Sequence, residues 1–225
     1  FVFAPGNKRQ TRGSRRSGAA AALQQTVEVV EERCLLSATS VLDGALYSGG
    51  NSGNGGSAGN ANPLTSIPVL HSLPGAPVTI YLDFDGHTET GSDWTENGTI
   101  AVVTPVYDID GDLTTFSDEE LRRMNEIWYR ASEDFASFNI DVTTVDPGTF
   151  NDFQAIRVSI GGDGAWGGTP SGGVAFLNSF NNSASNTVFV FTANLANGAA
   201  VPTAMNVSHE AGHAFGLEHH SQFDA

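Results

Sequence analysis

The chain has 225 residues, of which 40% are hydrophobic and 14 are phenylalanine, enough for one core of ordinary domain size beside extensions. From residue 35 onward 4 basic residues face 22 acidic ones, a balance of −18, which argues against a nucleic-acid partner for that part. Cys34 is the single cysteine and no long apolar run occurs, so an intrachain disulfide, a paired-cysteine zinc site and a transmembrane segment are all excluded.

Residues 1–40 are basic, then alanine-rich, and end in VEVVEERCLLSAT. The Ala19 to Leu23 patch is too short for a signal-peptide core, and the chain starts at Phe1, so the expectation is an incomplete N-terminus. The acidic-Arg-Leu-Leu-Ser-Ala run behind basic residues resembles the leader of exported proteins of certain aquatic bacteria. That resemblance implies a secreted or cell-surface location. Taken alone, the same residues also read as a short amphipathic helix. Residues 41–65 are rich in Gly, Ser and Asn and read as a flexible linker. Residues 66–225 then read as one domain.

Within that domain Val78 to Phe84 is β-branched and aromatic, with a turn at Asp85-Gly86 behind it, the pattern of a strand. Ser117 stands three residues before Glu120, a capping box. Leu121, Met124, Trp128, Ala131 and Phe135 follow at helical spacing and predict a helix through about residue 136. Asn139 to Val145, Ala155 to Ile160, Gly173 to Leu177 and Thr187 to Phe191 predict four short strands. A last helix is expected from Thr203 to Leu217, behind Pro202. Only one early connection carries a helix, so the expected fold is α+β, a mixed, mostly five-stranded sheet with two long helices.

The last helix contains His209-Glu210-Ala211-Gly212-His213 and runs on to Gly216 and His219. Histidines four apart are offset by about 40° and about 6 Å, so their rings converge on one ion at Zn–N distances of roughly 2.0–2.1 Å. Glu210 then sits beside the metal, placed to take a proton from an attacking water. Gly216 can take positive φ, end the helix and return the chain so that His219 supplies the third ligand. HExxH alone arises by chance in about 1% of such chains, and adding the Gly and His offsets lowers that to roughly one in tens of thousands.

HEAGHAFGLEH resembles the active-site helix of the metzincin zinc metallopeptidases, with GLEH most like matrixins and serralysins. The resemblance implies a zincin-like N-terminal subdomain over about residues 77–220, whose element order agrees with the reading above. It also implies a zinc endopeptidase acting on extracellular proteins, with Glu210 as base and His209, His213 and His219 as ligands. An edge strand at Gly173, Val174, Ala175, Phe176 and Leu177 would pair with the substrate backbone. Metzincins also carry a methionine turn after the third ligand. Met124 and Met205 both precede His209 and only His220 to Ala225 follow the motif, so a chain cut before its C-terminal subdomain is expected. The alternative is an exported surface or binding protein with a vestigial metzincin scaffold.

Calcium is a second candidate ion. Asp108, Asp110, Asp112 and Glu119 occupy positions 1, 3, 5 and 12 of an EF-hand-like loop, but Leu113 stands where that loop needs glycine. The stretch also reads as an acidic turn ahead of a capped helix. By analogy with matrixins, Asp163 in the glycine-rich loop is a further calcium candidate. Cys34 lacks the residues that accompany a latency thiolate and reads as part of the leader. His71 and His87 read as ordinary polar residues, and His220 as exposed.

Overall fold

A computed structural model describes residues 61–95, 101–168 and 170–219. The leader 1–40 with Cys34, most of the linker and His220 lie outside the described residues.

The chain builds a central sheet from β2 (Val78–Asp83), β6 (Ile140–Thr143), β7 (Ala155–Ile160), β8 (Gly173–Val174) and β9 (Thr187–Val190). Their order is β6-β2-β7-β9-β8. The first four are mutually parallel, and β8 runs antiparallel at the edge on β9. Both helices, α1 (Asp118–Asp134) and α2 (Ala200–Ala214), pack on one face. The α+β class and the mixed five-stranded sheet with two helices are as expected.

Local chemistry starts α1 where the capping box predicts. Ser117 Oγ accepts from Glu120 N at 3.3 Å, and Glu120 Oε2 accepts from Ser117 N at 2.7 Å. Met124, Ile127 and Ala131 are then fully buried against Ile80, Leu82, Val142, Ile156 and Val158 of the sheet. Trp128 Nε1 donates to the Val142 carbonyl and ties the helix to the edge strand β6. The second helix supplies Ala204, Val207, Ala211 and Ala214 to the same core. It begins at Ala200, before Pro202 rather than after it. A proline in the first helical turn costs no hydrogen bond, because those amides have no partner inside the helix.

The opposite sheet face is covered by a hairpin of β3 (His87–Glu89) and β4 (Val102–Thr104) and by the turn at Trp94. Trp94 Nε1 donates to Thr187 O, and its ring meets Phe176 and Phe189 in a second cluster with Val102, Val174 and Phe191. A sheet covered on both faces explains why its strands read as apolar runs rather than alternating ones. Two-residue strands β1 (Asn62–Pro63) and β5 (Thr115–Phe116) form a further antiparallel ladder. Paired structure therefore begins inside the segment 41–65 read as linker. The β1–β5 and β3–β4 ladders are too short to leave any periodicity in the sequence.

Candidate metal centre

The site grows from the last turns of α2. Its inward face carries Val207, Glu210, Ala211 and Ala214, and Glu210 is only 3% exposed. His209 and His213 lie at the margin between that face and solvent, each partly exposed.

The helix ends in a Schellman arrangement: Leu217 N donates to Gly212 O and Gly216 N to His213 O, both at 2.9 Å. Gly216 sits at φ 91°, and a side-chain carbon there would fall 2.9 Å from Asn178 Oδ1. Conformation thus favours glycine, and a side chain would in addition displace the Asn178 amide. The loop after β8 closes on this turn, since Asn178 N donates to His213 O at 2.7 Å and Phe180 packs edge-on to Phe215.

The returned chain brings His219 into place. The three Nε2 atoms lie 3.0 Å apart for His209–His213, 3.1 Å for His213–His219 and 2.9 Å for His209–His219. A tetrahedral centre with ligands at about 2.0–2.1 Å sets edges of about 3.3 Å, so the cluster matches such an ion to within a few tenths of an ångström. His213 Nδ1 donates to Leu217 O at 2.7 Å, which leaves the Nε2 lone pair facing its neighbours. Burial, followed by the nearby His213 and His219, pushes His209 down to about 4. Its ring is therefore neutral, the form that binds a metal, throughout the physiological range. Converging lone pairs repel unless a cation shares them. His209, His213 and His219 together can hold a metal ion.

Glu210 follows the first histidine and turns toward the sheet edge. A side-chain carbon on Gly173 would lie 2.7 Å from Glu210 Cγ and Oε1, so the carboxylate rests directly against β8. The expected edge strand Gly173–Leu177 is shorter than the sequence suggests. Only Gly173 and Val174 pair with β9, Phe176 turns into the Trp94 cluster, and exposed Leu177 leads to the left-handed Asn178.

The EF-hand-like set does not assemble as expected. Asp108, Asp110 and Glu120 come together, while Asp112 accepts from Thr114 and Thr115, and Glu119 pairs with Arg122 and Arg123. The capping box is the reason. With Ser117 at the N-cap, Glu120 folds back over the loop and accepts from Ile109 N and Ser117 N, and Glu119 faces solvent. Asp163 Oδ1 caps the following turn by accepting from Ala165 N. Asp163 joins no metal-binding group among the described residues.

His71 pairs with Asp141, and His87 lies between Glu89 and Arg157. Neither joins a metal-binding group among the described residues. Arg157 also stacks on Phe150 and stands 3.5 Å from Asp83, which burial, reinforced by Asp85 and opposed by Arg157, pushes up to about 8.

Sequence reading missed Gly172, Asn178 and Asn206 beside the site, and took Gly173 only as part of the expected edge strand. The Gly172-Gly173 pair ahead of a strand was the one available signal, because paired glycines mark close approach of backbone to another group. No helix among the described residues is long and apolar enough to cross a membrane. Comparison of the chain with protein-family models, curated proteins and solved structures found no match.

Proposed function

We propose that the protein is a zinc-dependent endopeptidase of the metzincin type, with a zincin-like fold, exported to the cell surface or beyond. The convergence of three Nε2 atoms within 2.9–3.1 Å, beside a buried glutamate that touches a sheet edge, carries the reading. The element order supports it, as does the resemblance of HEAGHAFGLEH to the metzincin helix. The leader resemblance at residues 1–40 motivates the location.

In this reading His209, His213 and His219 hold zinc, which would supply Lewis acidity to the scissile carbonyl and to an attacking water. Glu210 removes a proton from the water and delivers it to the leaving amine nitrogen. Burial against β8 keeps that carboxylate fixed between strand and helix. The outer edge of β8 offers backbone groups to an extended peptide. His213 is held in its ligating tautomer by the Leu217 carbonyl.

Glu210→Ala tests the proposal. The variant is expected to bind zinc as wild type does and to lose hydrolysis of a casein or quenched-peptide substrate. Full hydrolysis by Glu210→Ala refutes the role of Glu210. Zinc binding by wild type without any turnover favours the vestigial scaffold instead.

A further inference from the structure

Gly173 of the edge strand and Gly172 just before it rest on two consecutive turns of α2. A side-chain carbon on Gly172 would lie 2.3 Å from Asn206 Oδ1 and 3.1 Å from Leu195 Cδ2. One on Gly173 would lie 2.7 Å from Glu210 and 2.6 Å from the Phe189 carbonyl. Neither glycine has positive φ, so space rather than backbone freedom requires them. Asn206 and Glu210 are four apart and share one helix face. Helix and edge strand thus meet through a seat of two glycines on an amide and a carboxylate.

Asn206 is only 6% exposed. Its Nδ2 donates to Pro202 O at 2.9 Å, which fixes the side chain, while Oδ1 has no hydrogen-bond partner among the described residues. A buried amide oxygen without a partner is unfavourable, and here that oxygen stands where a side-chain carbon on Gly172 would fall. The Oδ1 atom points at the backbone of Gly172. It therefore acts as a spacer one helical turn before the proposed base.

We propose that Asn206 is a positioning residue: against Gly172 it sets how closely β8 rests on α2, and hence where a peptide paired with that edge lies relative to His209, His213 and His219. The inference rests on the peptidase reading above and adds to it the element that places the substrate backbone. The edge is available for this, since β8 has no strand on its outer side among the described residues.

The test compares two probes on the zinc-loaded full chain. Acetohydroxamate reads the metal alone, and an N-acylated tripeptide hydroxamate reads the metal and the edge together. Gly172→Ala is expected to weaken the tripeptide probe by about 10–100-fold, as a displacement near 1 Å does, with zinc and acetohydroxamate binding unchanged. Gly172→Ala combined with Asn206→Ala restores the tripeptide probe, because the colliding oxygen is gone. Gly173→Ala is not restored by Asn206→Ala, because the Phe189 carbonyl remains in the way.

Should Gly172→Ala not fold, Asn206→Ala alone carries the test: it alters tripeptide but not acetohydroxamate affinity, and Asn206→Leu, which keeps the bulk of the side chain, recovers it. Equal losses for both probes, no loss at all, or failure of the double variant to recover overturns the positioning role. If zinc-loaded wild type binds the tripeptide probe no more tightly than acetohydroxamate, the peptidase reading itself fails.

Discussion

Gly216→Ala separates the two jobs assigned to the turn after α2, ending the helix and delivering the third histidine. Alanine at φ 91° takes on left-handed backbone strain, and its Cβ would lie 2.9 Å from Asn178 Oδ1. The strain costs about 1–2 kcal/mol. For a domain of this size that lowers the melting temperature by about 2–8 °C, at roughly 2–4 °C per kcal/mol.

The larger effect is expected at the metal. Relief of the strain moves Leu217, whose carbonyl accepts from His213 Nδ1, and with it His219, whose Nε2 lies 2.9 Å from that of His209. Loss of such an outer contact costs about 10–100-fold in metal affinity, and loss of a ligand costs more. Zinc competition against a chromophoric chelator, run beside thermal melts of apo and zinc-loaded protein, reads both numbers. The expected result is a variant whose zinc-induced rise in melting temperature nearly vanishes, while the apo protein loses only a few degrees. Gly216→Asn, which tolerates the left-handed region better, should fall between. Wild-type zinc affinity in Gly216→Ala would refute the claim that this turn delivers His219.

Three further outcomes follow from the scaffold. Folded Asp83 holds its proton up to about pH 8 whereas the unfolded side chain ionises near 3.8, so the native state binds more protons between those values. Stability should therefore fall as pH rises from about 4 toward 8, and Asp83→Asn should flatten that decline in urea titrations; an unchanged pH profile contradicts the assignment. Ser117→Ala removes one half of the capping box and should cost about 1 kcal/mol in urea unfolding, and no loss would mean that the cap is not used in solution. Ile127→Ala empties a fully buried site between α1 and the sheet and should cost about 2–5 kcal/mol. A loss below 1 kcal/mol would place α1 elsewhere.

What the sequence determined by itself is what neighbours along the chain determine. The spacing of His209 and His213, the capping box at Ser117 and Glu120, and the release of the helix at Gly216 are all properties of a few consecutive residues. They are legible because helical geometry is the same in every protein. The five principal strands were readable for a similar reason, since β-branched and aromatic runs bounded by turn residues leave a local mark.

Tertiary structure decided what lies between distant segments. It put β8 at the sheet edge, shortened it to Gly173–Val174 and pressed Gly172 and Gly173 onto Asn206 and Glu210. It gathered Glu120 rather than Glu119 with Asp108 and Asp110, and buried Asp83 beside Arg157. Each of these depends on strand register or on which helix face turns inward. One residue of slip would reverse them, and no local pattern in the chain records that choice.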